Sequence, residues 1–150
     1  MPSALARKAA PVTAAGIAFA LALTAAPPAA AIGPTASVRV KVTGGAFTAS
    51  VGTGTQARFV FGGFYCAAGD GSPTPLTALV DADERFDFGV QARWDAATQD
   101  FVVTSIHGDF ADDSKKWTAY VNEKKITTGP CGTAIKDNDK VRWTLEAPKK

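Results

Sequence analysis

Alternation of apolar and polar residues is the feature of this sequence that most constrains its fold. Three short segments, residues 38–42, 117–121 and 141–145, place an apolar side chain at every second position. Successive side chains of a β-strand point to opposite faces of a sheet, so this period predicts half-buried strands. The chain is therefore expected to build a sheet whose strands have one apolar and one polar face.

One short helix is predicted between the strands. Thr74 can serve as its N-cap, and Pro75 suits the first helical position. From Leu76 onward, apolar residues follow at the i, i+3, i+4 spacing of an amphipathic helix. Glycines at 44–45 and 52–54 are expected to interrupt the chain between the first strand and a second one at 57–61. The pattern predicts an α+β domain with a mainly antiparallel sheet.

A leader precedes these elements. Arg7 and Lys8 are followed by the apolar run 14–26, by two prolines and by three alanines that end at Ala31. This order is typical of a secretory signal peptide cleaved between Ala31 and Ile32, whereas a membrane span needs about 20 apolar residues. We expect residues 1–31 to be removed and residues 32–150 to form one secreted domain with no membrane anchor.

The charge of the chain argues against nucleic acid as a partner but allows an anionic partner for one segment. Once the leader is removed, the chain has 14 basic and 14 acidic residues, so nucleic-acid binding driven by overall charge is not expected. The distribution is uneven: residues 70–113 carry ten acidic and two basic groups, and residues 115–150 carry nine basic and four acidic groups. Either the two segments screen each other on adjoining strands, or the basic segment forms a patch for an anionic partner.

Cys66 and Cys131 are the two cysteines of the chain. In an exported protein an isolated pair predicts one disulfide. Two free thiols or a metal pair are the alternatives. A structural zinc site would need further ligands, and the chain has one His and no other Cys. No metal site and no cofactor are therefore expected.

A serine and a histidine lie close enough in the sequence to raise the hypothesis of a hydrolase. Ser105 and His107 lie two positions apart and would share one face of a strand. Ser105, however, belongs to a β-rich run and not to the sharp turn that exposes a catalytic serine. No catalytic residue is assigned, and the chain is expected not to be an enzyme.

Aromatic residues provide the remaining candidates for ligand contact. Trp94, Trp117, Trp143, Tyr65 and Tyr120 could line a groove for an apolar or ring-shaped ligand. Trp117 and Trp143 lie on the apolar faces of their strands and are predicted to be core residues. Tyr120 points to the opposite face from Trp117, which makes it the candidate for an exposed ligand contact.

Three segments in the second half of the chain, taken together, resemble a known family. The order of residues 101–108, 117–122 and 135–143 is similar to the transcobalamin C-terminal-like domain of secreted bacterial proteins, over roughly residues 38–145. The resemblance implies a compact β-grasp-like module without catalytic residues. Some members carry one Cys before the helix and another after the Val-Asn segment, as Cys66 and Cys131 would do. Members usually have Asn-Gly where Asn122-Glu123 stands here, a change expected to lengthen that hairpin.

The resemblance also shapes the expected function. It implies a secreted, non-catalytic binding or interaction module whose ligand is a small molecule or a cell-envelope component. Because the namesake domain helps to cover cobalamin beside a helical domain, a corrinoid-binding protein is the first alternative, and a secreted hydrolase is the second. No cofactor-binding residue and no oligomeric state can be assigned from the sequence.

Overall fold

The structure, a computed structural model, describes residues 33–148, so the predicted signal peptide and its cleavage site at Ala31 and Ile32 lie outside the described residues. Within that range the chain forms one helix and ten strands, in the order β1 (Thr35–Thr43), β2 (Thr48–Gln56), β3 (Arg58–Val60), β4 (Phe64–Cys66), α1 (Pro75–Phe86), β5 (Gln91–Asp95), β6 (Asp100–Ile106), β7 (Asp109–Phe110), β8 (Lys116–Val121), β9 (Lys124–Lys125) and β10 (Lys140–Glu146).

The main sheet has five strands in the order β2-β1-β10-β8-β9. Strands β1 and β10 run parallel, and the other neighbours run antiparallel. The first hairpin leads to a helix that packs on the sheet, and the last strand returns beside the first, which is the β-grasp arrangement. Two smaller antiparallel sheets, β3-β4 and β5-β6-β7, complete the described fold. The prediction of an α+β, mainly antiparallel fold is confirmed.

The core lies between the helix and one face of the main sheet. Along β1 the valines are buried and the alternating polar residues are exposed, as the period of two predicts. Leu76 and Leu79 of α1 are fully buried against the same core as Trp143 of β10. Each such leucine stabilises the fold by about 1.5–3 kcal/mol relative to an exposed position.

The helix begins where its sequence predicts. The hydroxyl of Thr74 accepts a hydrogen bond from the backbone N–H of Thr77, and the Thr77 hydroxyl accepts one from the N–H of Thr74. Pro75 occupies the first turn, and Asp87 ends the helix in a left-handed conformation at φ 55°. No helix within residues 33–148 combines the length and hydropathy needed to cross a membrane.

Strand β2 departs from the sequence prediction. Gly52 and Gly54 lie inside a nine-residue strand that pairs with β1 over its whole length, so the glycines do not interrupt it. Between them, Thr53 faces the core, and Thr55 donates a hydrogen bond from its hydroxyl to that of Thr77 at 2.9 Å. Cross-strand pairing thus overrides the poor strand propensity of glycine.

The hairpin between β8 and β9 is not lengthened, so that expectation is wrong. Asn122 and Glu123 form a two-residue turn, and both have positive φ, at 48° and 66°. The side-chain amide of Asn122 donates to Asp139 Oδ1 at 2.8 Å and accepts from the backbone N–H of Lys140 at 2.9 Å. These bonds hold the turn against the start of β10 and keep it short.

Candidate functional site

Two exposed aromatic pairs lie on β3, β4 and β5 and are together called here the aromatic surface: Phe59 with Tyr65, and Phe64 with Trp94. Phe64 and Tyr65 are consecutive in β4, so the two pairs lie on opposite faces of that hairpin. Phe64 and Trp94 stack almost parallel, with ring centroids 4.9 Å apart and 10° between their planes. They are 46% and 41% exposed. Contiguous exposed apolar patches are uncommon on soluble proteins and mark interaction or ligand sites.

A buried aromatic ring packs against the stacked rings of Phe64 and Trp94. Phe101 of β6 is 4% exposed and meets both Phe64 and Trp94 edge-on, with centroid distances of 5.4 Å to each. Across the β3-β4 hairpin, Phe59 of β3 meets Tyr65 of β4 edge-on at 5.1 Å. Each pair of exposed rings therefore has a geometry that aromatic pairs favour.

The disulfide fixes this surface to the rest of the domain. Cys66 ends β4, and it is bonded to Cys131 with the two Cα atoms 5.1 Å apart. The sequence prediction of one disulfide is confirmed over two free thiols or a metal pair. The bond joins the hairpin that carries Phe64 and Tyr65 to the loop that precedes β10.

Asp100 holds the same loop from the other side. Its carboxylate accepts backbone N–H bonds from Cys131, at 3.1 and 3.2 Å to its two oxygens, and from Phe101 at 2.6 Å. Burial raises the pKa of Asp100, although these N–H bonds act in the opposite direction. A Cβ atom at Gly129 would overlap the Asp100 carboxylate, so this close approach requires glycine.

Behind the aromatic stack lies a small depression of about 260 Å³. Its walls are Phe64, Trp94 and Phe101, and the disulfide loop contributes Cys131 and Gly132. Gln99 and Asp100 provide polar groups at its edge. An apolar wall with a few polar groups is the usual composition of a small-molecule site.

A larger opening, called here the strand groove, lies between β6 and β8 and has a volume of about 680 Å³. These strands and β10 contribute six apolar residues to its lining: Phe101, Val102, Val103, Trp117, Ala119 and Trp143. Lys116 and Lys125 also line it. Asp100 and Phe101 line both openings, so the groove and the depression adjoin at these two residues.

The groove lies between two strand edges that are largely unpaired within residues 33–148. Strand β6 pairs with β5 along one side, whereas its pairing with β7 involves only its end at Ser105 and Ile106. Strand β8 pairs fully with β10, but with β9 only at Tyr120 and Val121. The two sheets therefore separate between these strands and leave an entrance to the core.

The predicted exposed contact at Tyr120 is wrong. Tyr120 lies on the face opposite Trp117, as expected, yet it is only 7% exposed. The guanidinium of Arg142 covers its ring at 3.9 Å, and its hydroxyl donates a hydrogen bond to Glu146 at 2.6 Å. This hydrogen bond to a carboxylate raises the pKa of Tyr120.

The other aromatic candidates divide between core and surface. Trp117 and Trp143 are 7% and 1% exposed, so their prediction as core residues is confirmed. Tyr65 and Trp94 belong to the aromatic surface, but Phe59 and Phe64 were not among the sequence candidates. Their position on either side of the Gly62-Gly63 pair, in a tight hairpin, is the sequence feature that could have indicated them.

Ser105 and His107 make no hydrogen bond to each other in the described structure. Ser105 is 1% exposed inside β6, whereas His107 is exposed in the turn after it and stacks on Phe47 with centroids 4.2 Å apart. A nucleophile and its base must lie within hydrogen-bond reach of each other and of substrate. Among the described residues, no group of three or more His, Cys, Asp or Glu side chains is arranged to hold a metal ion.

Comparison with known proteins finds one family match and several similar solved structures. The family described as "Domain of unknown function (DUF4430)" matches residues 80–147, slightly less than half of the chain. No curated protein gives a significant sequence match. Among solved structures, haptocorrin in complex with Cbi aligns with a TM-score of 0.53 and 16% identity over 77% of this chain.

This chain spans only 26% of the length of haptocorrin. The likeness shows a shared fold and supports the transcobalamin resemblance at that level. A candidate metal-binding protein from Ruminococcus gnavus aligns with a TM-score of 0.47 and 15% identity, over 76% of this chain and 99% of its own.

Proposed function

We propose that this chain is a secreted, non-catalytic binding module. Its ligand is a small molecule with flat or ring-shaped parts, or a cell-envelope component that carries such groups. The ligand lies on the aromatic surface and extends into the strand groove. The observation that carries this proposal is the half-exposed stack of Phe64 and Trp94, which lines a depression that adjoins the strand groove.

The rigidity of the site supports the proposal. The disulfide and the Asp100 carboxylate both anchor the loop around Cys131, and Phe101 holds the stacked rings in place. A site that is ordered before its ligand arrives loses less conformational entropy on binding. The aromatic rings then contribute contact area at a small entropic cost, since each has few rotatable bonds.

Calorimetric titration of residues 32–150 tests this function. The probes are cyanocobalamin, dicyanocobinamide and soluble cell-envelope fragments from the producing organism. We expect saturable binding of one class, and we expect Trp94→Ala and Phe64→Ala to weaken it at least tenfold. Phe110→Ala is the matched control, because Phe110 is 61% exposed on β7, outside both openings. Equal affinity for Trp94→Ala and the parent protein would contradict the proposed site.

A corrinoid is the second candidate ligand, favoured by the fold shared with haptocorrin in complex with Cbi. Most of haptocorrin has no counterpart in the aligned region, so the module on its own would contact one side of such a ligand. Binding of both corrinoids without binding of envelope fragments would support this candidate. Binding of envelope fragments alone would exclude it.

Secretion is the part of the proposal that depends on the leader. The charged, apolar and small-residue segments of residues 1–31 predict that the mature protein begins at Ile32. Intact-mass analysis of culture supernatant should find residues 32–150. A mass that includes residues 1–31 would contradict secretion by this route.

A further inference from the structure

The outer face of the main sheet, opposite α1, is basic. Arg39 and Lys41 of β1 point outward and lie in register with Lys140 and Arg142 of β10. Like charges directly opposite each other on neighbouring strands repel and destabilise a sheet. This arrangement therefore lowers stability unless an opposite charge is supplied.

Within residues 33–148, carboxylates supply that charge to Arg142 but not to Arg39, Lys41 or Lys140. Within residues 33–148 the ion pairs are those of Arg58 with α1 and of Arg142 with Glu123. Arg39 and Lys140 thus have no described carboxylate within 4 Å. The acidic segment 70–113 forms α1 and the β5-β6-β7 sheet, so it does not lie beside these cations in the main sheet. This placement favours the hypothesis of an anionic partner over mutual screening.

A depression of about 440 Å³ is lined by the outward-facing Arg39 and Lys140, by the core-side residues Val38 and Thr53, and by Arg85 of α1, so it extends from the outer face toward the helix. Cationic side chains from three different elements line it, namely Arg39, Arg85 and Lys140. The hydrogen-bonding residues Ser37 and Asn138 also line it, and no carboxylate does. The chain therefore presents donors and positive charge to one concave surface.

Glycine backbone forms part of this depression. Gly52 lies directly beside Arg39, and Gly54 lies beside Ser37, on the adjacent strand β2. Neither glycine has a positive φ, and a Cβ atom at either position would meet nothing within 4 Å. The fold thus does not require glycine there, although glycine weakens a strand. A glycine in a strand can mark the close approach of a ligand.

We propose that this depression binds a phosphate group of a ligand. Arginine guanidinium groups match phosphate oxygens through paired hydrogen bonds, and a phosphate monoester carries about two negative charges that three cations can compensate. A single carboxylate would compensate less of this charge. The site lies apart from the aromatic surface and strand groove and shares no lining residue with them.

Titration of residues 32–150 with inorganic phosphate and with inorganic pyrophosphate at low ionic strength tests the assignment. We expect saturable binding at one site that weakens as salt is added, because the cations are exposed. Arg39→Ala and Arg85→Ala should each weaken binding at least fivefold. Lys124→Ala is the matched control, since Lys124 is an exposed cation on β9 that does not line the depression. An equal loss in Lys124→Ala, or acetate binding as tightly as phosphate, would overturn the proposal.

Gly54→Thr separates binding from folding. Threonine favours strands, and its Cβ meets no atom, so the melting temperature should be unchanged or higher. The added side chain should nevertheless occupy the depression and weaken phosphate binding at least fivefold. Unaltered phosphate affinity in this variant would contradict the proposal. Trp94→Ala should retain phosphate binding, so failure of the aromatic site and failure of the phosphate site remain distinguishable.

Discussion

At the scale of single residues, the contact between Asp100 and Gly129 determines how the disulfide loop sits against β6. The buried carboxylate accepts the N–H of Cys131, and its neighbour Phe101 supports the exposed ring stack. One side chain thus connects the loop to the candidate site. Substitution of Gly129, which lies against the Asp100 carboxylate, should therefore change the stability of the domain.

Gly129→Ala is predicted to destabilise the domain by about 1–3 kcal/mol, because the new methyl group overlaps the Asp100 carboxylate. Gly132→Ala is the control in the same loop, since its Cβ would meet other atoms at 3.5 Å or more. That variant should stay within about 0.5 kcal/mol of the parent protein. Urea denaturation measures both. Similar destabilisation by the two substitutions would show that the loop, and not the carboxylate contact, is responsible.

Asp100 should also make stability depend on pH. Burial raises its pKa in the folded state above the ordinary value of 3.8, so the folded protein retains this proton over a range where the unfolded chain has lost it. The contribution of Asp100 to stability therefore falls as pH rises from about 4 through its folded-state pKa. Asp100→Asn lacks this titration, so its stability relative to the parent protein should increase with pH over that range. A pH-independent difference in urea denaturation would contradict the raised pKa.

At the scale of elements, the turn of the β8-β9 hairpin contains two residues with positive φ, Asn122 and Glu123. Their side chains contribute differently to stability. Glu123 at φ 66° gains little from its ion pair with Arg142, because the carboxylate is 72% exposed. Asn122 at φ 48° makes two hydrogen bonds to the start of β10. The same substitution should therefore have opposite effects at the two positions.

Glu123→Gly is predicted to stabilise the domain by about 0.5–1 kcal/mol, since glycine adopts positive φ without steric cost. Asn122→Gly should destabilise it by about 1 kcal/mol or more, because both side-chain hydrogen bonds are lost. Thermal denaturation of the two single variants measures the signs. Destabilisation by Glu123→Gly would show that its ion pair outweighs the backbone strain.

Elements whose determinants are local could be predicted from the sequence. Helix α1 begins at Pro75 because Thr74 and Thr77 cap it through neighbouring backbone groups. Strand β2 could not be predicted, since pairing with β1 stabilises a segment whose glycines oppose a strand. The site shows the same division. Trp143 was predicted as core by its strand period, whereas the contact of Phe64 with Trp94 and the covering of Tyr120 by Arg142 arise only in the folded chain.

At the scale of the whole molecule, the disulfide joins residues 65 positions apart and links the small β3-β4 sheet to the loop that leads into β10. By loop entropy, closing a loop of this length stabilises the fold by about 4 kcal/mol. A Cys66→Ala, Cys131→Ala double variant should lose up to about that amount. Urea denaturation measures the loss, with alkylated but unreduced protein as the control. Two alkylatable thiols in the native secreted protein would contradict the bond.

The central claim is that the ligand binds to the aromatic surface and the strand groove. Mapping of amide and indole chemical shifts tests this claim most directly. Trp94 is 41% exposed and lies in the aromatic surface, so its indole N–H reports on that part of the site, whereas the buried Trp117 and Trp143 line the strand groove. With the ligand that calorimetry selects, shifts should be concentrated at Trp94, at residues 59–66 and at residues 100–103. Shifts confined to the outer face around Gly52 and Arg39, with the Trp94 signal unchanged, would contradict the account.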